Sequence, residues 1–413
     1  MYTFSLMNEK NTHAMAQQQI DAYPGFMQNI SVEQYAESMT DTNNRPNTKY
    51  YCAFSGNKLV GGFLMLDFEM NMRQIMVKAS GLGMVAVDLN HKKEKVCREI
   101  MRYYLNTLRT NGVNVALLYP FNSSFYHKMG FGFGTLLQQF RIKPSNLPSG
   151  NSKAHIARLN EDNAEAIAKF YNLRAKTTHG LITKSTDEFA KRLKNPANKV
   201  FAYVDGNIRG YIFFQFKKGS DDSALVNDIS VNELLFDSPE VFTELMTFMK
   251  SQSDQARYII INTQDEGFIN AIADPRNHTE RILFPVYQEC CRTGLGIMYR
   301  ICNVETFFAD IANCRFGDLS INLKINVNDS FIPENNKPVL LELRNGLCTV
   351  TNNSDCDVEL NIDIAELSSL VMGCTNLKSL VKYGKATLSN ATCLDVLSRS
   401  FALDEKPICL TYF

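Results

Sequence analysis

The sequence predicts a mixed α+β fold (α/β mixed) of three domains, and two patterns carry this prediction. A β-hairpin around Gly56 and another around Gly206 lie 150 positions apart, and each leads into a further strand and an amphipathic helix. The C-terminal third instead has short strands that alternate apolar and polar residues, as in an antiparallel sheet with one buried face. The 413 residues are enough for roughly two to three domains.

The two hairpins indicate an internal duplication. Each Gly-Asn turn is soon followed by another glycine, Gly61 in the first half and Gly210 in the second. Turns of this type also connect hairpins in unrelated folds, so the pattern alone leaves duplication and coincidence open. A Pro/Gly/Ser-rich stretch at 145–152 marks a boundary between the halves. We place the three domains at residues 1–148, 149–295 and 296–413.

The third domain has a pattern of its own. A helix is expected first, at 304–312, and the strand expected at 319–327 alternates at period two. Further strands are expected at 339–343, 347–351 and 358–362, and helices near 364–372 and 391–401. A generic α+β domain would give the same pattern, and fold alone does not indicate a ligand.

The first half contains a candidate anion site. A strand at Val85–Val87 runs into a basic turn at 91–95 and then into an amphipathic helix that reaches Leu108. Its basic residues are Lys92, Lys93, Lys95 and Arg98. Positive charge at a helix N-terminus is disfavoured by roughly 0.3–1 kcal/mol per group, and a bound anion would reverse that penalty. The alternative is a solvated, lysine-rich surface turn.

A second candidate follows the next strand, expected at 113–118. After a turn at Pro120, an aromatic run contains Tyr126 one turn into the next element, where its phenol could supply a proton. Tyr126 could instead pack beside Phe125 and Phe131, because aromatic clusters more often form core than catalytic sites. His127 is expected on the surface of the same short helix.

Composition excludes several classes of protein. The 43 basic and 43 acidic residues cancel, which argues against nucleic-acid or membrane-surface binding driven by bulk charge. Eleven cysteines without a C-x-x-C pair suit reduced thiols, and the six histidines lack metal-ligand spacing, so no metal is expected. We find no apolar signal core and no apolar run of about 18 residues, and therefore expect a cytoplasmic protein.

Taken together, these residues resemble a known family. Val85-Ala86-Val87, the basic turn and the following helix resemble the acetyl-CoA motif of GNAT-type N-acetyltransferases. The run from Pro120-Phe121 through Phe125-Tyr126 to Gly130-Phe131-Gly132 is more specifically similar to the Eis (enhanced intracellular survival) subfamily, over the whole length and domain order. The resemblance implies tandem GNAT domains, the second degenerate, followed by a sterol-carrier-protein-like domain.

The resemblance also implies a reaction and its partners. Acetyl-CoA would be the co-substrate, the acceptor would be an amine of a small molecule (an aminoglycoside, a polyamine or a lysine-like amine), and the protein would be a homo-oligomer. Transfer would be direct, with Tyr126 as general acid. The implied cofactor-binding residues are Val85, Ala86, Val87, Lys93, Glu94, Lys95, Val96, Cys97, Arg98, Phe121 and Asn122.

Two positions depart from the family pattern. Leu89 stands where relatives commonly have proline, and Lys95 stands where they have glycine. Glycine lets a backbone approach a pyrophosphate closely, so these changes suggest an alternative of another class. That alternative is a binding or assembly protein that has kept the fold and lost acetyl transfer.

The apolar C-terminus, Leu410–Phe413, is unusual because termini are commonly disordered unless they are tied down. We therefore expect a buried terminus that carries its carboxylate with it. In the Eis family the terminal carboxylate of a phenylalanine deprotonates the amine, so the resemblance implies that Phe413 is the general base. An ordinary terminal β-strand is the alternative.

The second half lacks the basic turn of the first. Its corresponding helix begins with Asp237-Ser238-Pro239-Glu240, where acidic residues complement the helix dipole and repel phosphate. The second domain is therefore expected to be structural, without a cofactor of its own.

Overall fold

The structure is a computed structural model that describes residues 2–413 except 222 and 224. These residues form two compact units. Unit 1 comprises residues up to Gly134, Ile297–Asp404 and Thr411–Phe413. Unit 2 comprises Thr135–Gly296 and Glu405–Leu410. Within the described part of the chain, no helix is both long and apolar enough to cross a membrane.

The N-terminal part of unit 1 contains six strands and four helices. The strands are β1 (Tyr2–Leu6), β2 (Thr48–Ser55), β3 (Lys58–Met72), β4 (Ile75–Val87), β5 (Val115–Leu118) and β6 (Gly132–Phe133). The helices are α1 (Glu9–Ala22), α2 (Val32–Asn43), α3 (Val96–Thr110) and α4 (Ser123–His127). Helix α3 buries the apolar stripe that its sequence predicts, with Ile100, Tyr104 and Leu105 fully inaccessible to solvent.

Unit 2 has seven strands and three helices among its described residues. The strands are β7 (Leu137–Ile142), β8 (Ile156–Arg158), β9 (Lys199–Asp205), β10 (Asn207–Lys218), β11 (Asn227–Phe236), β12 (Ala256–Thr263) and β13 (Cys291–Gly294). The helices are α5 (Ala164–Ala175), α6 (Thr186–Lys194) and α7 (Pro239–Lys250).

The C-terminal part of unit 1 contains the remaining elements. The strands are β14 (Met298–Ile301), β15 (Ile321–Asn328), β16 (Val339–Arg344), β17 (Leu347–Val350), β18 (Val358–Asp363) and β19 (Ala386–Leu388). The helices are α8 (Val304–Asp310), α9 (Ile364–Val371), α10 (Leu377–Lys382) and α11 (Leu394–Phe401). Every strand and helix expected beyond residue 304 is present, whereas α10 and β19 were not predicted.

Three sheets organise these strands. The orders are β1-β2-β3-β4-β5-β14-β6 and β17-β16-β15-β18-β19 in unit 1, and β13-β7-β12-β11-β10-β9-β8 in unit 2. Strand β7 precedes the expected boundary at 148 yet pairs in the sheet of unit 2, and β14 follows the boundary at 295 yet completes the first sheet. Sheet pairing therefore crosses the limits 1–148, 149–295 and 296–413. These limits stay a prediction.

The predicted duplication is visible in the strands. The first repeat is β2–β5 with α3, and the second is β9–β12 with α7; each has a hairpin, a third strand and a helix that leads to a fourth, parallel strand. Parallel pairing ends at Leu82 with Leu118 in the first repeat, and at Val231 with Ile261 in the second. Just beyond, a β-bulge places an extra residue in β4 and in β11.

Candidate active site

A cavity of about 630 Å³ lies in unit 1 where β4 ends and α3 begins. One part of its lining is basic and consists of His91, Lys92, Lys93, Lys95 and Arg98. The rest is apolar or weakly polar and consists of Ala22, Tyr23, Val85, Val87, Val96, Cys97, Phe121 and Phe125. A ligand with an anionic end and an uncharged arm, such as acetyl-CoA, fits this division of charge.

The start of α3 has an unusual backbone. Lys95, the residue before the first helical turn, adopts a left-handed conformation with φ of 66°, and Lys93 does the same with φ of 65°. The Lys95 side chain makes no capping hydrogen bond to α3, so the first turn has no side-chain acceptor from its cap. Glycine would adopt this left-handed φ without strain, whereas a non-glycine residue there costs roughly 1–2 kcal/mol.

Side chains at the end of α1 form hydrogen bonds to the bulged end of β4. The Gln19 amide donates to the Met84 carbonyl (2.9 Å), and the Tyr23 hydroxyl donates to the Val85 carbonyl (2.9 Å). Burial raises the pKa of Tyr23 to about 12, so its phenol stays protonated and can keep donating. Both carbonyls lie beyond the last pairing of β4 with β5, where a parallel neighbour would otherwise satisfy such groups.

The predicted cofactor residues divide into two groups. Eight of them line the cavity: Val85, Val87, Lys93, Lys95, Val96, Cys97, Arg98 and Phe121. The other three, as far as the described residues go, lie outside its lining: Ala86, Glu94 and Asn122. Ala86 is buried in the sheet, the Glu94 carbonyl accepts from the Tyr2 hydroxyl (3.1 Å), and the Asn122 side chain caps α4 by accepting from Phe125 N–H (3.2 Å).

Tyr126 lies in an aromatic cluster behind the cavity wall. Its ring contacts Phe125, Phe121 and Phe131 at centroid distances of 5.3, 5.8 and 6.2 Å, all edge to face, and the residue is only 3% exposed. Burial, followed by the nearby Cys97 thiol, raises the pKa of Tyr126 well above that of a free phenol. Burial also raises the pKa of Cys97 to about 11, so this thiol is neutral and a poor nucleophile near neutral pH.

The C-terminus of the chain packs against β4. A Cβ built on Gly81 would lie 2.7 Å from the Phe413 ring, and one built on Gly83 would lie 3.4 Å from the Phe413 carboxyl carbon. The ring also contacts Phe68 at 5.2 Å and Tyr119 at 5.4 Å. Residues 402–413 form neither helix nor strand, so the alternative of a terminal β-strand is wrong. A buried terminus was expected, but Phe413 is only partly buried and Tyr412 is 64% exposed.

The second repeat has different groups at the equivalent places. Helix α7 is capped, because the Ser238 hydroxyl accepts from Val241 N–H (3.4 Å) and Pro239 occupies the first turn. Just after the bulge in β11, the buried carboxylate of Glu233 accepts from Lys184 (2.9 Å) and Arg192 (2.7 Å) and from the Tyr211 hydroxyl. Burial opposes ionisation of Glu233, but the two cations outweigh it and lower its pKa.

Sequence reasoning missed several residues of the site. Tyr23 and Ala22 line the cavity, but they lie at the end of α1, more than sixty positions from the strand that they face. Tyr119 holds the terminus by donating to the Thr411 carbonyl (3.1 Å). None of these residues belongs to a motif, so only the tertiary structure identifies them. In the described part of the chain, no group of three or more His, Cys, Asp or Glu side chains could hold a metal ion.

Comparison with known proteins assigns the domains. Residues 3–134 and 180–301 each match a family of acetyltransferase (GNAT) domains, and residues 304–410 match the sterol carrier protein domain. No curated protein sequence matches the chain significantly. The two acetyltransferase matches identify a GNAT-family enzyme with two GNAT domains.

Solved structures define the arrangement more closely. The chain is similar to a GCN5-related N-acetyltransferase from Anabaena variabilis, with 16% identity and a TM-score of 0.80, both chains covered in full. It is also similar to Eis1 from Mycobacterium abscessus, with 17% identity and a TM-score of 0.77, again over 100% of both chains. A third similar structure is a GCN5-related N-acetyltransferase from Kribbella flavida, with 17% identity and a TM-score of 0.79 over 100% of this chain and 98% of that one. The fold is thus Eis-like: two GNAT domains followed by a sterol carrier protein domain.

Proposed function

We propose that this protein transfers the acetyl group of acetyl-CoA directly to an amine of a small molecule, with Phe413 as general base and Tyr126 as general acid. One observation carries the proposal. Strand β4 contacts the terminal carboxyl group at Gly83 and lines the basic and apolar cavity at Val85 and Val87. A base and a cofactor cavity on one short stretch of strand are what direct transfer requires.

The cavity residues divide the binding of acetyl-CoA between them. The lysines of the turn, Arg98 and the uncapped N–H groups of α3 would hold the phosphates, because an anion there reverses the unfavourable charge at the helix start. Val85, Val87 and Phe121 would pack against the pantetheine arm. The left-handed backbone of Lys95 supports this assignment, since the lysine adopts a conformation that glycine commonly has in phosphate-binding turns.

The chemistry needs two proton transfers. The amine must be neutral to attack the thioester carbonyl; as the C–N bond forms and the C–S bond breaks, the amine loses a proton and the thiolate gains one. A free α-carboxylate, with a pKa near roughly 3.3–3.7, is a weak base unless it is desolvated or assisted by water. Tyr126 keeps its proton because burial raises its pKa, so the phenol holds a proton that the leaving thiolate would take.

The sharpest experiment is to append two glycines after Phe413. The extension keeps every side chain but moves the terminal charge roughly 7 Å onward in an extended chain. We expect it to abolish turnover while acetyl-CoA still binds the first GNAT domain. Deleting Phe413 should also abolish turnover, with some loss of stability from the vacated apolar site. Wild-type acetylation rates in the extended protein would show that the terminus is structural.

The acceptor is proposed from the resemblance alone: an aminoglycoside, a polyamine or a lysine-like amine. Turnover can be screened with these three classes by following free thiol release from acetyl-CoA. Equilibrium binding of acetyl-CoA to the purified protein separates this proposal from a binding or assembly protein that has lost acetyl transfer. Absence of binding at millimolar acetyl-CoA would favour that alternative.

A further inference from the structure

The segment before the terminal carboxylate is held in unit 2. The Ile408 N–H donates to the His179 carbonyl (2.9 Å), and the Cys409 N–H donates to the Gln264 side-chain oxygen (2.7 Å). Lys184 then donates from its ammonium group to the Leu410 carbonyl (2.8 Å). Three successive residues are therefore tied by hydrogen bonds, two of them to side chains that are less than 10% exposed.

The side chains that hold the segment are themselves fixed. Lys184 also bonds Glu233, which is buried and shared with Arg192 and Tyr211, and the Gln264 amide donates to the Thr135 carbonyl (3.0 Å). Gly180 adds a steric requirement, because a Cβ there would lie 2.7 Å from Pro407. Buried charged groups lose little additional entropy when they make such a bond, so this network is a rigid support.

The network occupies a distinctive place in the second repeat. Glu233 follows the bulge of β11, beyond the last pairing with β12, and in the first repeat Val85 lies in the corresponding bulge of β4, between the paired residues Gly83 and Ala86. Gln264 is the residue after β12, and Tyr119, which holds the Thr411 carbonyl, is the residue after β5. The strand opening that contributes to a cofactor cavity in the first repeat is thus occupied by anchoring groups in the second.

We propose that the second GNAT domain is an anchor for the C-terminal segment, and that Lys184 and Gln264 are positioning residues for the terminal carboxylate. Only three residues follow Leu410, so an anchored Leu410 limits the carboxylate to roughly 10–11 Å from it. The catalytic consequence rests on the proposed role of Phe413, whereas the anchoring itself does not. The second GNAT domain would thereby contribute to acetyl transfer through the chain terminus.

The test compares Lys184→Met with Arg192→Met in the full-length protein. Both variants remove one cation from Glu233, but only the first removes the donor to the Leu410 carbonyl. Hydrogen exchange at the amides of Ile408 and Cys409 should quicken roughly tenfold to a hundredfold in Lys184→Met and change little in Arg192→Met. Equal exchange in the two variants and the wild type would overturn the anchor.

Activity supplies a second readout. In Lys184→Met we expect kcat to fall at least about tenfold, with the KM for acetyl-CoA unchanged because the cavity in unit 1 is intact. If Lys184→Met does not fold, Gln264→Ala takes its place, since it removes the acceptor of the Cys409 N–H. Faster exchange with unchanged kcat, in a protein that the glycine extension inactivates, would overturn the positioning role. If the protein extended by two glycines remains active, Phe413 is not the general base. Hydrogen exchange alone then tests whether the second GNAT domain anchors the C-terminal segment.

Discussion

The starts of α3 and α7 occupy equivalent places in the two repeats but have opposite chemistry. At α3, two lysines adopt left-handed backbone conformations and the cap side chain makes no hydrogen bond to the helix. At α7, Ser238 caps the first turn and Arg209 pairs with the preceding Asp237 (3.1 Å). The first helix start has no side-chain acceptor from its cap, and the other is capped by the protein itself.

The comparison shows how two repeats with the same strand plan can differ at one end of the sheet. Duplication preserves the bulged third strand and the parallel fourth strand in both repeats. What differs is the set of groups placed at the strand opening: Val85 and a cavity in the first, and Glu233 with its cations in the second. The same strand plan thus borders an open cavity in one repeat and a filled, charged core in the other.

Among the substitutions that compare the two repeats, the largest expected effect tests whether chemistry belongs to the first repeat alone. Tyr126→Phe keeps the ring and its contacts and removes the phenol, so kcat should fall roughly 10²–10⁴-fold with little change in melting temperature. The second repeat offers a natural contrast, since its corresponding segment, Glu266–Ala271, contains no tyrosine. Near-normal turnover would assign Tyr126 to the aromatic core. Phe131→Leu, which changes packing only, is the matched control.

A tenfold effect is expected from reversing charge at one helix start and not at the other. Lys95→Glu combined with Arg98→Glu should weaken acetyl-CoA binding at least about tenfold, and wild-type binding should weaken with salt. In the second repeat, Glu240→Lys should leave acetyl-CoA affinity unchanged. Isothermal titration of all three proteins measures the comparison. Equal affinity in the double variant and the wild type would show that this turn does not bind the phosphates of acetyl-CoA.

Smaller effects are expected on stability, with opposite signs at the two helix starts. Ser238→Ala removes a capping hydrogen bond and should lower the free energy of unfolding by about 1 kcal/mol. Lys95→Gly should raise it by a similar or smaller amount, because glycine accepts a left-handed φ without strain. Acetyl-CoA binding should be equal or tighter in Lys95→Gly. A large loss of affinity would mean that the lysine charge dominates over backbone approach.

The smallest expected change concerns pH. Burial favours the neutral phenol of Tyr126, so its pKa lies above the ordinary value of 10 and the proton remains bound at pH 9–10. The kcat of the wild type should therefore show no loss of a catalytic acid across that interval. Ultraviolet titration of wild type and Tyr126→Phe should likewise give the same count of phenols ionised by pH 10. One fewer titrating phenol in the variant would contradict the burial effect.

The sequence predicts much of the first repeat because its signals are local. The hairpin turns, the period of α3 and the excess of lysines can each be recognised within about fifteen residues. No local pattern predicts the left-handed backbone of Lys95, because in a sequence only glycine commonly indicates that conformation. No local pattern identifies Lys184 and Gln264 either, since their hydrogen-bond partners in the C-terminal segment are 226 and 145 positions away. Contacts of that separation follow from the fold and not from any pattern in the chain.

Strand β14 has a consequence for how the protein is made. It lies between β5 and β6, and Met298 pairs with Leu118, which is 180 positions earlier. At a synthesis rate of roughly 5–20 residues per second, a ribosome needs roughly ten to forty seconds to supply that neighbour. During this interval one edge of β5 is unpaired, although β4 already covers the other. The sheet of the nascent first domain is therefore complete only after a strand beyond the second domain has been synthesised. A premature stop after residue 295 would leave the edge of β5 unpaired.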